Sequence, residues 1–186
     1  MRALGHTWGV FSGVNWTWRG QSMRIVRELV SEDAYPFREL RLEGLRLYPD
    51  AFGSSYEVES NQPLAEFGGW IAQGGLFGGF VDDHPSGMAG FRACEAVNLR
   101  HKGVIFGMFV RESEQGSGLA EAILATIVDV ARERVEQLQL SVATTNHRAI
   151  RFYRRLGFEA YATEPKALKL GQRYIDELLM VRFLSA

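Results

Sequence analysis

The sequence lacks the residues that stabilise small secreted or metal-binding proteins. One cysteine, Cys94, occurs in 186 residues, so an internal disulfide cannot form, and the four histidines are scattered without metal-ligand spacing. A disulfide framework and a structural metal are therefore not expected. The low cysteine content fits a reducing compartment, and we expect a cytoplasmic protein that holds no metal.

The sequence also lacks a charge imbalance and a long apolar run. Lys and Arg number 21 against 22 Asp and Glu, for a formal net charge of -1. That balance argues against a nucleic-acid or membrane partner. The longest apolar runs, such as residues 103–110, are far shorter than the ~20 residues that cross a bilayer. With 46% hydrophobic residues, the composition is that of an ordinary globular protein.

The first 22 residues differ in composition from the rest of the chain. They contain Trp8, Trp16 and Trp18 and no acidic residue, and Met23 is followed at once by a strand-like segment. We predict that residues 1–22 form a poorly ordered N-terminal extension and that residues 23–186 form one domain. The competing hypothesis is that the tryptophans pack and order the extension.

Apolar periodicity predicts the order of helices and strands. Strands are predicted at residues 23–29, 76–81, 88–96, 102–110, 138–142, 158–162 and 176–184. Helices are predicted at residues 37–48, 63–71, 119–135 and 148–156, with a loop at 51–59 and a turn at 82–87. Strand 102–110 is apolar nearly throughout, as expected of a strand buried on both faces. The fold class is therefore α+β (mixed α/β): helices flank a mostly antiparallel sheet that contains one parallel strand-helix-strand unit, at 104–142.

A glycine-rich turn joins the apolar strand 102–110 to the longest helix. Gly116 and Gly118 allow close approach of a ligand or a positive φ angle, and the first amides of the helix have no internal partner. This arrangement is typical of a phosphate or pyrophosphate site, although a simple turn with no ligand explains the glycines equally well.

Three other phosphate-binding or catalytic motifs fit this turn poorly. A Walker A loop needs a Gly-Lys pair, which the chain does not contain. A dinucleotide-binding motif needs a third glycine where Glu121 stands, which weakens that interpretation without excluding it. A nucleophile elbow needs glycine two residues on either side of Ser117, where Gln115 and Leu119 occur.

The turn resembles the acetyl-CoA loop of the GNAT family of N-acetyltransferases, whose form is Gln/Arg-x-x-Gly-x-Gly/Ala. Residues 115–120 read Gln-Gly-Ser-Gly-Leu-Ala and match it in full. Residues 146–158 resemble the second cofactor motif of that family, Asn-x-x-Ala-x-x-x-Tyr-x-x-x-Gly-Phe. Two departures are Gln115, where arginine is more usual, and Glu112, where proline is commoner.

The resemblance implies a GNAT-like acyl-CoA N-acyltransferase fold, with acetyl-CoA as acyl donor and no metal. It implies an acetyl transfer to a primary amine of a small molecule or peptide by direct attack in a ternary complex. Tyr153 is the implied acid for the departing thiolate. The alternative is a catalytically silent module that binds CoA or acyl-CoA as a sensor. The implied cofactor-binding residues are Met108, Phe109, Val110, Gln115, Gly116, Ser117, Gly118, Leu119, Ala120, Asn146, Ala149, Phe152 and Tyr153.

The acceptor amine is the least constrained part of the prediction. By position, the candidate substrate residues are Phe52, Tyr56, Glu57 and Glu95, with Glu59 as a further candidate base. This mixture of aromatic and acidic residues favours a cationic or amphipathic amine. In the family, acceptor choice is also set by the final loop, here residues 164–174. The resemblance is compatible with a homodimer.

Overall fold

The computed structural model describes residues 22–184; the predicted extension lies outside them except for Ser22. The described part contains seven strands and five α-helices. In chain order they are β1 (Arg24–Glu28), α1 (Ala34–Leu47), α2 (Tyr56–Ser60), α3 (Leu64–Ala72), β2 (Leu76–Val81), β3 (His84–Ala93), β4 (Lys102–Val110), α4 (Leu119–Arg132), β5 (Gln137–Ala143), α5 (His147–Arg155), β6 (Glu159–Leu170) and β7 (Arg173–Phe183). Between residues 22 and 184, no helix has both the length and the apolar character that crossing a membrane requires.

The strands form one sheet in the order β1-β2-β3-β4-β5-β7-β6. Neighbouring strands pair antiparallel except β4 and β5, which are parallel and joined by α4. The predicted mixed sheet with a single parallel unit is therefore confirmed.

Two apolar cores lie on opposite faces of this sheet. On one face, Leu119, Ile123 and Ile127 of α4 are fully buried and pack with Leu138 and Met180 of the sheet. Their spacing of three to four residues is the predicted helical period, and burial of each such side chain contributes about 1.5–3 kcal/mol. On the other face, residues of α1 and α3 pack against the sheet residues Phe80, Met88 and Phe109.

Strands β4 and β5 separate soon after they begin to pair. Their register runs only from Lys102 opposite Gln137 to Val104 opposite Gln139. Strand β5 continues to Ala143 and stays paired with β7, while β4 continues to Val110 beside β3. Among residues 22–184, β4 therefore has no partner strand on its β5 side from residue 105 onward, and the sheet opens into a wedge there.

A bulge interrupts β4 inside this wedge. Gly107 has φ 64°, a left-handed conformation that favours glycine. The β3–β4 register shifts between Met88 and Gly90, so that Ala89 faces two residues of β4, Gly107 and Met108. The extra residue bends the strand and takes part of its backbone out of the ladder.

Three predicted elements differ from the structure at their boundaries. Strand β3 begins at His84 because Asp82 and Asp83, at φ 48° and 64°, make a two-residue turn in place of the predicted turn 82–87. The predicted loop 51–59 contains the start of α2, whose N-cap Ser55 accepts a hydrogen bond from the Val58 amide at 3.3 Å. The predicted loop 164–174 is mostly strand, because β6 and β7 form a long hairpin around Gly171.

The prediction that β4 is buried on both faces is wrong. Val104 and Phe106 are 38% and 37% exposed. Their face of the sheet is covered by α1 only further along, at Phe109. The uncovered part of that face becomes the wall of a cavity.

Candidate active site

The glycine turn folds as predicted and leaves several amides without protein partners. Gly116 and Gly118 have φ 85° and 91°, and a Cβ at either position would meet nothing within 4 Å. The first hydrogen bond of α4 joins the Ala122 amide to the Gly118 carbonyl. Between residues 22 and 184, the amides of Gly118, Ala120 and Glu121 donate to no protein acceptor. These donors stand at the positive end of α4 and form a cradle for an anion.

Ser117 and Leu119 close the cradle locally. The Leu119 amide donates to Ser117 Oγ at 3.3 Å, while the Leu119 side chain is fully buried under the sheet. Leu119 therefore anchors the turn through its side chain. The groups in this turn that can bind a ligand are therefore the backbone amides of Gly118, Ala120 and Glu121.

A side chain from the second motif meets the turn. Gln115 Nε2 donates to the Val110 carbonyl at 3.3 Å, and the Arg148 guanidinium donates to Gln115 Oε1. Arg155 pairs with Glu121 in the first turn of α4. The two motifs, distant in sequence, are therefore neighbours. Arg148, which the sequence analysis did not select, brings a cation to a loop that lacks the more usual arginine.

Asn146 begins α5 as its N-cap. Its Oδ1 accepts a hydrogen bond from the Ala149 amide at 3.1 Å. This contact fixes the start of α5 and the direction in which Phe152 and Tyr153 leave it. Phe152 packs at the margin of the α4 core and lies with its ring centroid 5.2 Å from that of Tyr153.

Tyr153 is buried among apolar and aromatic side chains. It is 7% exposed, and its ring centroid is 5.8 Å from that of Phe158. Burial raises the pKa of the Tyr153 hydroxyl well above its ordinary value of about 10. The hydroxyl therefore stays protonated at neutral pH, as a hydrogen-bond donor must. The Tyr153 hydroxyl makes no hydrogen bond to the described residues. Within those residues, Arg24 Nε is the only side-chain polar atom that is both fully enclosed and without a hydrogen-bond partner. The Tyr153 hydroxyl is therefore not fully enclosed in the core.

The three predicted β4 residues contribute backbone rather than side chains. Met108 packs against the α4 core, Phe109 lies in the core under α1, and Val110 is buried against α4. Because these side chains are engaged in packing, the chemistry available at the wedge is that of the β4 main chain beyond the bulge.

A cavity of about 780 Å³ opens on the uncovered face of the sheet. Its walls come from α1, α2, α3 and strands β1 to β4, and they include Trp70, Phe106 and the bulge residue Gly107. Of the four predicted substrate residues, Glu95 lines it. The walls do not include Phe52, Tyr56 or Glu57.

A buried ion pair stands at the inner end of this cavity. Arg41 of α1 donates to Glu59 of α2 through Nε at 2.9 Å and Nη2 at 2.7 Å. The side chains are 15% and 6% exposed, and Phe52 lies beneath the guanidinium at 4.9 Å from its ring centroid. A Cβ built on Gly107 would lie 3.4 Å from Arg41 Nη1, so the pair abuts the bulge. Phe52 therefore supports the pair from below.

Comparison with known proteins identifies this arrangement. The acetyltransferase (GNAT) family matches residues 42–158, which include the bulge, the glycine turn and the second motif. This chain belongs to the GNAT family. An uncharacterized N-acetyltransferase from Methanocaldococcus jannaschii is 26% identical over 140 residues, which are 72% of this chain and 60% of that relative.

Solved structures share the GNAT fold at low sequence identity. A GNAT acetyltransferase from Streptococcus pneumoniae superposes with a TM-score of 0.77 at 19% identity, over 87% of this chain and 99% of that one. A proposed acetyltransferase from Salmonella typhimurium, solved with its cofactor acetyl-CoA, has a TM-score of 0.75 at 18% identity, over 87% and 94%. The predicted family and fold are confirmed.

Proposed function

We propose that this GNAT chain transfers an acetyl group from acetyl-CoA to a primary amine of a small molecule or peptide, by direct attack in a ternary complex. One observation carries the proposal: a single strand, β4, joins the two parts of the site. Gly107 of β4 lines the cavity, and Val110 leads into the glycine turn. The three intervening steps span about 10 Å at ~3.3 Å per residue, so donor and acceptor sites are close.

The residues present fit the donor. The unpaired amides of Gly118, Ala120 and Glu121, with the Arg148 guanidinium nearby, suit a pyrophosphate. The side of β4 that faces the wedge offers main-chain groups from residue 105 onward. Bound there, acetyl-CoA supplies the acetyl thioester.

The acetyl transfer needs three contributions from the chain. A β4 amide freed by the bulge at Gly107 stabilises the carbonyl oxygen as negative charge develops on it. The amine nitrogen bonds to the carbonyl carbon, the carbon–sulfur bond breaks, and the amine proton leaves through the cavity to water. Tyr153, kept protonated by burial, donates a hydrogen bond to the departing sulfur, and the thiolate takes up a proton from solvent.

The second candidate is a CoA-binding sensor without turnover. It is favoured by one observation: Glu59, a carboxylate that lines the cavity together with Gly107, already accepts hydrogen bonds from Arg41 on both oxygens. Glu59 is therefore not free to act as a general base. A sensor would bind CoA by the same cradle and need neither Tyr153 nor the cavity.

One experiment separates the two functions. The chain is incubated with acetyl-CoA and a panel of amines, amino acids and peptides, while free thiol is followed by absorbance and acetylated product by mass spectrometry. Stoichiometric thiol and amide support the proposal. Saturable CoA binding without product across the panel supports the sensor, thiol without amide indicates hydrolysis, and absence of CoA binding contradicts both.

A further inference from the structure

The Arg41 guanidinium has unused hydrogen-bond donors at the point where the acceptor must arrive. Of its five N–H groups, Glu59 takes one on Nε and one on Nη2. No protein acceptor binds Nη1 in the part of the chain that the structure describes. Within those residues, Arg24 Nε is the only side-chain polar atom that is both enclosed and without a partner. Arg41 Nη1 is therefore not enclosed, and it opens to the cavity that Arg41 lines.

Glu59 fixes this donor in place. The two hydrogen bonds form a side-on, bidentate pair, and Phe52 closes the lower face of the guanidinium. A buried ion pair is seldom the most stable solution for a core, because desolvation offsets the attraction between the charges. A buried ion pair at this position therefore indicates a role in binding. Its Nη1 lies beside Gly107, where an added Cβ would be 3.4 Å away.

The formal charges on the cavity wall do not by themselves select a substrate. Arg92 lies over Phe106 and Arg134 over Phe91, and Glu95 lines the same cavity. Glu28 lines the same cavity but accepts a hydrogen bond from the Gly75 amide at 2.6 Å. What distinguishes Arg41 is its position beside the bulge, where the amine meets the acetyl group.

The acidity of the amine points in the same direction. An α-amine has a pKa of about 8, whereas a lysine side chain has a pKa of about 10.4. A neighbouring guanidinium lowers the pKa of an amine further. Because Arg41 engages Glu59 on both oxygens, this site suits an acceptor that loses its proton to water easily.

We propose that Arg41, held by Glu59, binds a carboxylate or carbonyl oxygen of the acceptor, and that the acceptor is an α-amine: a free amino acid or a peptide N-terminus. In both, the amine and the carboxylate or carbonyl group are attached to the same carbon. A lysine side chain and a simple alkylamine lack such a group beside the amine. This inference rests on the proposed transferase function and names its substrate class. Glu59 is a positioning residue in it.

A matched acceptor series tests the inference. Phenylalanine, phenylalanine amide, 2-phenylethylamine and Nα-acetyl-lysine share an amine, but only the first two have an oxygen next to an α-amine. Comparing phenylalanine with its amide shows whether the site prefers a free carboxylate, as in an amino acid, or a neutral carbonyl, as in a peptide N-terminus. We expect kcat/KM for phenylalanine or its amide to exceed that of the other two amines by about 10- to 100-fold, the usual effect of one hydrogen bond to a charged group.

The variants separate binding from folding. In Arg41→Met with Glu59→Gln, no buried charge is left unpaired, and we expect the preference for α-amines to vanish while the Kd for acetyl-CoA stays the same. Glu59→Gln alone should raise KM for α-amines more than it lowers kcat. Arg46→Met, an exposed arginine on the same helix, is the control and should change none of these values.

Two results would overturn the inference while the transferase function stands. One is acetylation of 2-phenylethylamine or Nα-acetyl-lysine as fast as the α-amines. The other is an equal loss of rate with every acceptor in the double variant. Absence of transfer to any amine by a chain that binds acetyl-CoA would overturn the proposed function and this inference together.

Discussion

Replacing Gly118 by glutamate tests the anion cradle directly. Gly118 stands at φ 91° and ψ -3°, where a residue with a Cβ is strained by about 1–2 kcal/mol. That strain should lower Tm by about 2–8 °C in a domain of this size. Because a Cβ at Gly118 meets nothing within 4 Å, the variant should still fold.

The added carboxylate should oppose phosphate binding. For two unit charges about 5 Å apart at an effective dielectric constant of about 20, the repulsion is about 3 kcal/mol. That energy corresponds to a loss of affinity of about 100-fold or more. We therefore expect Gly118→Glu to raise the Kd for acetyl-CoA by at least this factor, measured by titration calorimetry, and added salt to reduce the difference.

A second glycine provides a matched control. Gly171, in the β6–β7 turn, has φ 58°, and a Cβ there also meets nothing within 4 Å. Gly171→Glu therefore introduces the same charge and similar strain away from the cradle, and it should bind acetyl-CoA like the native chain. S-acetylpantetheine, which lacks the pyrophosphate, should bind both variants equally. Equal acetyl-CoA affinity in folded Gly118→Glu and Gly171→Glu would refute the assignment of the turn.

Three further changes test the remaining parts of the structure. Arg148→Ala, which removes the contact to Gln115, should raise the Kd for acetyl-CoA by about 5- to 20-fold and leave S-acetylpantetheine unaffected; an equal effect on both ligands would contradict a phosphate contact. Tyr153→Phe should lower kcat by about 10- to 100-fold at unchanged acetyl-CoA affinity. Because burial raises the Tyr153 pKa, native kcat should not fall near pH 10 through ionisation of this phenol. Such a fall, absent from Tyr153→Phe, would show that Tyr153 ionises near its ordinary pKa and would contradict the effect of burial. Although burial alone would raise the pKa of Asp33, hydrogen bonds from Arg27 at 2.6 and 2.9 Å and from the Val30 amide lower it. Its charged form therefore contributes stability above about pH 4, which is lost as the pH falls through the depressed pKa. Asp33→Asn should cost about 1–3 kcal/mol at pH 7 by urea unfolding and remove that acid dependence; an unchanged pH profile would count against the ion pair.

The local structure of the glycine turn, the proposed donor site, was largely predictable because it is contiguous in sequence. A buried strand, a turn with Gly116 and Gly118, and a helix with a strong apolar period occupy residues 102–132. Local backbone preferences place the free amides at the start of α4, whatever the rest of the chain does. The predicted motif boundaries were accordingly close to the observed ones.

The cavity wall around Glu59 was poorly predicted because it depends on a helix, α2, that the pattern did not reveal. The pattern over residues 51–59 predicts a loop, in which no side chain has a defined direction. In α2, residues 57 and 59 are two positions apart and point to nearly opposite sides. Glu59 is therefore buried against Arg41, while Glu57 is exposed. The one available signal was Arg41 itself, a charge within the apolar stripe of α1.

The sequence by itself determined the family, the order of most strands and helices, and the glycine turn at the start of α4, since each depends on neighbours along the chain. Only the tertiary structure decided which distant side chains complete the site. Arg148 reaches Gln115 across 33 positions and Arg41 reaches Glu59 across 18. The wedge between β4 and β5 likewise depends on their register over three residue pairs. Such contacts follow from how the helices and strands pack, and a local pattern carries no information about that geometry.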